Sequence, residues 1–208
     1  MALQLARGEI LPLVHFQLPY IGAVEQYPLA LLMMALEEGV LTLRLYYFLV
    51  SCAALAAAFL LYRRLLPGWW AHGALAMFAL FPPILLFVSL QAYSFGGLIL
   101  GETLVLWWLV ARLDGPASPR ELAAMGLVCG LALYNNALFA AMLVFALWAV
   151  CYSVGWRRGR WFVGGWLAGY SPMLVFNIGN DFVSYQMMLA KFLGVTQAMV
   201  DESGVAGA

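Results

Sequence analysis

The sequence is poor in charge: 10% of its 208 residues are Asp, Glu, Lys or Arg, while 65% are hydrophobic. Soluble domains carry about 25% charged residues, so this composition excludes an ordinary soluble domain. The acidic and basic side chains cancel to a net charge of zero, which gives the chain as a whole no attraction for nucleic acid. The start of the chain also lacks the charged-then-apolar order of a signal peptide.

Cysteine and the common site motifs are equally scarce. Cys52, Cys129 and Cys151 each lie within an apolar run, so a buried, unreactive thiol is predicted for each. The sequence has no zinc-ligand spacing, no phosphate-binding glycine loop and no nucleophile elbow. The enzyme classes that these motifs mark are therefore not indicated.

Long apolar runs are what the sequence has in abundance, and several approach the length that spans a bilayer. A shorter run, Leu29–Leu36, predicts an interfacial helix. We therefore predict an all-α integral membrane protein, with residues 1–40 as an extracytoplasmic loop, 41–177 as a transmembrane domain and 178–208 as an extracytoplasmic tail. The six predicted transmembrane helices are Leu41–Tyr62, Ala71–Leu90, Gly96–Ala111, Pro119–Tyr134, Ala137–Gly155 and Trp161–Asn177.

Basic residues set the predicted orientation. Seven of the ten lie in three alternate loops, and the loops on the other side hold most of the acids. The positive-inside rule makes the arginine-rich loops cytoplasmic and places residues 1–40 outside, in what we expect to be a bacterial inner membrane. Since no signal carries this segment across, we expect a further membrane helix upstream of it; a translocated amino-terminal tail is the alternative.

Local motifs predict how the helices begin and pack. Ser118-Pro119-Arg120-Glu121 has the pattern of a capped helix start, and Pro82-Pro83 is predicted to kink the second span. Gly-x-x-x-Gly occurs at Gly97, Gly126 and Gly165. Small residues four apart let helices approach closely in lipid, so we predict packing within the bundle.

Two carboxylates are the candidate catalytic residues. Glu102 lies within the third span, where an ionised side chain needs a polar cavity or a partner. A protonated Glu102 bonded to a neighbouring helix is the structural alternative. Glu25, in the outer loop, could act as a base, a sugar ligand or a metal ligand, or be a solvated loop charge.

The candidate substrate-binding residues lie near the same predicted face. Tyr20 and Tyr27 flank Glu25, and His15 could contact a phosphate or simply lie at the surface. Asn135 and Asn136 form the outer turn between the fourth and fifth spans, a role that alone accounts for two asparagines. This arrangement suits an enzyme that uses a lipid-borne donor, and it equally suits an outward-facing transporter vestibule.

Several motifs resemble polytopic glycosyltransferases similar to protein mannosyltransferases, which have the GT-C fold. Gly8-Glu9, the segment Pro19-Tyr20 with Gly22 and Glu25, and Leu43-Arg44-Leu45 match the first outer loop and the helix that follows it. The runs "YRRLLP", "FPP", "GLALYNNAL" and "GGWLAGYSPMLVFNIGN" are also similar to the family. The likeness extends over nearly the whole chain, and the order of the motifs carries it.

This resemblance implies the front half of a GT-C bundle and sugar transfer from a polyprenyl-phosphate donor at the outer face. It also implies a catalytic acidic pair just upstream of Ala2–Ala6, which this chain does not contain. Glu25 and Glu102 would then orient the acceptor or sugar, or bind a divalent metal that holds the donor phosphate. The alternatives are a non-catalytic membrane subunit that binds a membrane protein or lipid, and a small transporter.

Overall fold

The architecture was obtained as a computed structural model, which describes residues 2–9, 13–15, 18–80, 95–112, 115 and 117–192. This part of the chain is helical apart from one short hairpin, so the predicted helical class is confirmed. The hairpin was not predicted. It pairs β1 (Val14–His15) with β2 (Leu18–Gly22) in antiparallel orientation.

Helices make up most of the described chain. A 3₁₀ turn, Ala137–Phe139, leads directly into the seventh of them. The helices are α1 (Ala2–Ala6), α2 (Gln26–Ala35), α3 (Val40–Leu65), α4 (Trp70–Leu80), α5 (Phe95–Ala111), α6 (Pro119–Asn135), α7 (Ala140–Val154), α8 (Trp156–Gly179) and α9 (Val183–Phe192).

Two helical segments of the described chain are long and apolar enough to cross a membrane, Val40–Leu65 and Ala137–Val154. They coincide with the first and fifth predicted spans. The other predicted spans also fall on helices, although the part of the second span beyond Leu80, with Pro82-Pro83, lies outside the described residues. The run Leu29–Leu36, predicted to be helical, lies within α2 up to Ala35.

The segment that precedes α3 and contains α1 and α2, which we call the amino-terminal arm, packs on the start of α3. Ala2 of α1 and Leu29 of α2 are buried in one cluster with Tyr46 and Tyr47 of α3. At the surface, the Arg7 guanidinium donates to the Glu38 carboxylate, with Nε to Oε1 at 3.1 Å. This contact ties α1 to the segment that follows α2.

Glycines bring α6 and α8 into backbone contact. A Cβ added to Gly126 would lie 2.0 Å from the Phe162 carbonyl oxygen, and one added to Gly130 would lie 2.3 Å from the Trp166 oxygen. Gly165 approaches the backbone of α6 equally closely. Because position advances along both helices together, α6 and α8 run parallel. The Gly-x-x-x-Gly motifs of these helices therefore pack helices of one chain.

Helices α5 and α6 run antiparallel and enclose much of the apolar core. Ser118 caps α6 as predicted: its Oγ accepts from the Glu121 N–H at 3.3 Å, and the Glu121 carboxylate accepts from the Ser118 N–H at 2.8 Å. Glu121 also forms an ion pair with Arg112 at the end of α5. The core around these helices contains Leu98, Val105, Leu122, Cys129, Phe139 and Phe162.

The cysteines differ in exposure. Cys129 is buried and Cys151 is partly buried, but Cys52 is exposed on α3. The prediction of a buried thiol is therefore wrong for Cys52, because no other described element covers that face of the helix.

Candidate functional site

Glu25 links the amino-terminal arm to the helical bundle. It lies immediately before α2, at the N-cap position, but its side chain makes no capping hydrogen bond there. The side chain instead points into the bundle, and the residue is only 7% exposed. Sequence position alone left open whether Glu25 is a solvated loop charge, and the structure shows that it is buried.

Two groups from distant parts of the sequence hold this carboxylate. The Asn135 side chain, at the end of α6, donates from Nδ2 to Glu25 Oε1 at 2.8 Å. The Gly97 backbone N–H, in the first turn of α5, donates a second hydrogen bond. The N–H groups of a first helical turn have no partner within their own helix, so Glu25 satisfies one of them.

Gly97 permits the approach of the arm. A Cβ at this position would lie 2.1 Å from Glu25 Oε1 and 3.1 Å from Asn135 Nδ2, so only glycine leaves room for the carboxylate. The positive end of the helix dipole of α5 also faces the carboxylate, which favours its charged form. The first Gly-x-x-x-Gly motif thus differs from the other two, because its leading glycine accommodates a side chain from the arm.

Burial raises the pKa of Glu25, while the hydrogen bonds from Asn135 and Gly97 act in the opposite direction. Burial is the largest of these effects, because a carboxylate removed from water loses its hydration. Tyr46 and Tyr47 of α3 also interact electrostatically with Glu25. The site therefore joins the arm, the start of α3, the start of α5 and the end of α6.

Asn135 has one further hydrogen-bonding group. Its Oδ1 is buried and has no hydrogen-bond partner within the described residues. An amide oxygen accepts hydrogen bonds from hydroxyl or amide donors. The Glu25–Asn135 pair thus carries carboxylate and amide oxygens at one end of the bundle.

Sequence reasoning missed Tyr134 and Gly97, two residues that build this site. The Tyr134 hydroxyl donates to the Leu13 carbonyl oxygen, and a Cβ on Gly22 would lie 2.4 Å from the Tyr134 carbonyl oxygen. Tyr134 therefore holds both ends of the hairpin segment against α6. The signal available in the sequence was the position of Tyr134 directly before the two asparagines.

The structure does not bring Glu102 to Glu25. Glu102 lies five residues beyond Gly97 on α5, which corresponds to about 7.5 Å along the helix axis. It is partly buried, and its carboxylate has no hydrogen bond or ion pair within the described residues. The two candidate catalytic residues are thus separate features of the bundle, with Glu102 deeper.

The remaining candidates divide into three groups. Asn136 is buried, and its Oδ1 accepts from the Leu138 N–H at 3.0 Å, which is the predicted turn role. Tyr27 is partly buried in the first turn of α2, next to the site. His15 and Tyr20 belong to the hairpin by their backbones, and their side chains lie outside the described part of the structure.

The two candidate carboxylates, Glu25 and Glu102, stand apart from one another. Within the described residues, no group of three or more His, Cys, Asp and Glu side chains is placed to hold an ion. Glu25 supplies a single carboxylate, and Glu102 is separated from it along α5.

Comparisons with family models, curated proteins and solved structures give no significant match. The geometry itself defines a helical protein with two candidate membrane-spanning helices and a buried carboxylate where the arm meets the bundle.

Proposed function

We propose that the chain is an integral membrane protein with six spans in a GT-C-like bundle. The exposed apolar surface supports embedding in lipid: only 17% of the most apolar window of Ala137–Val154 is buried. The core helix of a soluble protein would be mostly covered. Val144, Phe145 and Trp148 are among the large exposed side chains of α7, and such a surface is stable in contact with lipid.

The distribution of charge supports one orientation of this bundle. Arg63 and Arg64 end α3, Arg112 follows α5, and Arg157 begins α8, all at the end of the bundle away from Glu25. The positive-inside rule places that end in the cytoplasm and the Glu25 site at the outer face, with a bacterial inner membrane as the proposed location.

Within this orientation we infer sugar transfer from a polyprenyl-phosphate donor to an acceptor at the outer face. The observation that carries the proposal is the Glu25 carboxylate, which Asn135 and Gly97 hold at the membrane end where a donor head group would lie. Carboxylate and amide oxygens accept hydrogen bonds from sugar hydroxyls. Glu25 and Asn135 would therefore orient the sugar or the acceptor, and Glu102 is the second carboxylate candidate.

A second candidate function is a non-catalytic membrane subunit with the same scaffold. The 7% exposure of Glu25 favours it, because a carboxylate enclosed between the arm and two helices acts first as a structural tie. In this case the Glu25 contacts would maintain the outer surface for a membrane-protein partner. Replacement of Glu25 would then alter folding without altering any chemistry.

Reconstitution with a labelled donor separates the two functions. The chain would be inserted into liposomes with a radiolabelled polyprenyl-phosphate hexose, and transfer of label to peptide and lipid acceptors would be measured. Glu25→Gln and Glu102→Gln are the test variants, and Glu37→Gln, at an exposed acid of the same arm, is the matched control.

The glycosyltransferase proposal predicts transfer by the parent chain, loss of transfer in Glu25→Gln and full transfer in Glu37→Gln. Transfer that is equal in all the variants would refute the site assignment. Absence of transfer by a folded, inserted parent chain would favour the non-catalytic subunit.

A further inference from the structure

The first turn of α8 concentrates positive charge at the surface. Arg157, Arg158 and Arg160 are all exposed, and Trp156 and Trp161, also exposed, lie on either side of them. We call these five residues the α8 basic turn. The first turn of the helix has no acidic residue, and its N-cap, Gly155, has no side chain that could accept a hydrogen bond.

This arrangement is unfavourable for the isolated chain. The amino-terminal end of a helix carries partial positive charge, so arginines there are repelled by the helix dipole and by one another. No described carboxylate lies within salt-bridge distance of Arg157, Arg158 or Arg160. Within this group, the Arg160 guanidinium lies over the Trp161 ring, 5.7 Å from the ring centroid. The charge is therefore not neutralised within the described protein.

A second group that combines arginine with tryptophan lies at the same end of the bundle. Arg63 is exposed near the end of α3, and Trp69 and Trp70 are exposed and stacked at the start of α4, with ring centroids 4.1 Å apart. The Glu25 contacts with Gly97, and the packing of Leu29 against Tyr46 and Tyr47, place the starts of α5 and α3 together at the opposite end. The Arg112–Glu121 ion pair and the parallel packing of α6 with α8 then bring the end of α5 and the start of α8 to this end.

We propose that this end of the bundle docks on anionic phospholipid head groups through the α8 basic turn. Guanidinium groups form paired hydrogen bonds to phosphate oxygens, and tryptophan rings favour the boundary between head groups and acyl chains. Charge complementarity selects anionic lipid over neutral lipid. The proposal rests on membrane embedding, which is part of the proposed function, but not on glycosyl transfer.

Continuity with the apolar surface selects a lipid layer over a soluble anionic partner. Trp148 and Tyr152, on the last two turns of α7, are 62% and 83% exposed, and their rings stack with centroids 5.7 Å apart. This aromatic surface leads along α7 directly to Gly155 and the α8 basic turn. A lipid leaflet presents acyl chains and phosphates in the same order.

The test uses the full chain in nanodiscs of phosphatidylcholine, alone or in an equimolar mixture with phosphatidylglycerol. The ratio of the two lipids that remain bound after gentle release is measured by native mass spectrometry. The test variant replaces Arg157, Arg158 and Arg160 with Gln, and a second variant replaces them with Lys. The matched control is Arg44→Gln, at an exposed arginine of the opposite end of α3.

We expect the parent chain to enrich phosphatidylglycerol, and the Gln variant to lose at least about fivefold of this enrichment at low salt, the factor that corresponds to about 1 kcal/mol. The Lys variant should keep part of the enrichment, because it retains the charge but not the paired hydrogen bonds, and Arg44→Gln should keep most of it. Full enrichment in the Gln variant, or equal loss in Arg44→Gln, would overturn the proposal. A parent chain that enters nanodiscs without any lipid preference would overturn it while leaving the proposed function intact. Failure to enter nanodiscs would refute both.

Discussion

Substitution of Gly97 by alanine should weaken the attachment of the arm to the bundle. The added Cβ would lie 2.1 Å from Glu25 Oε1, so the carboxylate must move. A side-chain terminus can rotate away without moving the backbone, and steric overlap is therefore not the main cost. The cost is the loss of the hydrogen bonds that Asn135 and the Gly97 N–H donate to Glu25.

The expected magnitude follows from two opposing effects. A hydrogen bond to a charged group contributes about 1.5–3 kcal/mol, and its loss leaves buried groups unsatisfied. Alanine in place of glycine within a helix returns about 0.5–1 kcal/mol. Since two such bonds are lost, Gly97→Ala should lower the free energy of unfolding by roughly 2–5 kcal/mol. Gly164→Ala in α8 is the matched control, since a Cβ there meets nothing within 4 Å.

Unfolding in mixed micelles, followed by circular dichroism as denaturing detergent is added, measures both variants. A second comparison introduces Gly97→Ala into a Glu25→Ala background, where no carboxylate remains to displace. The penalty of Gly97→Ala should disappear there, because the two changes remove the same interaction. An equal penalty with and without Glu25, or equal stability of Gly97→Ala and Gly164→Ala, would refute the reasoning.

Three further predictions concern the packing of α6 with α8, the Glu25 carboxylate and the cap of α6. Gly126→Ala should destabilise by about 1–3 kcal/mol in the micelle assay, because its Cβ would meet the Phe162 carbonyl oxygen at 2.0 Å, and wild-type stability would contradict the close packing of α6 and α8. Because the pKa of Glu25 is raised in the folded state, its protonated form favours the fold, and stability should fall as the pH rises from the ordinary glutamate pKa through the raised one. Glu25→Gln should remove this pH dependence. A parent chain that gains stability over this range would contradict the prediction. Ser118→Ala should cost about 1 kcal/mol by removing the cap of α6, and an unchanged unfolding midpoint would argue against the capping box.

The elements that the sequence predicted well are those determined by neighbouring residues. The capping box at Ser118 depends on a residue three positions away, and the helices depend on continuous apolar runs. The glycines of α6 and α8 were predicted to pack within the bundle because their spacing puts them on one helical face. Their partners, however, were found only in the three-dimensional arrangement.

The site was harder to predict because its members are distant in sequence. Glu25 and Asn135 are 110 residues apart, and no local pattern indicates that a loop carboxylate meets the end of α6. Gly97 was assigned to helix packing with the other glycines, although its neighbour is a side chain of the arm. Cys52 was predicted to be buried because its apolar run was taken as an indication of burial within the protein, whereas an exposed helix face in lipid is equally apolar.

The two proposed functions differ in whether the buried Glu25 must become accessible. A carboxylate that is 7% exposed, and that Asn135 and Gly97 hold, cannot contact a sugar while the arm is in place. Catalysis through Glu25 therefore requires the arm to separate from the start of α5 and the end of α6. The hydrogen bonds from Gly97 and Asn135 then set the free energy of that opening. Weakening them at Asn135 should make Glu25 more accessible, so a catalytic arm would show altered transfer in Asn135→Ala. A purely structural tie would show only lower stability.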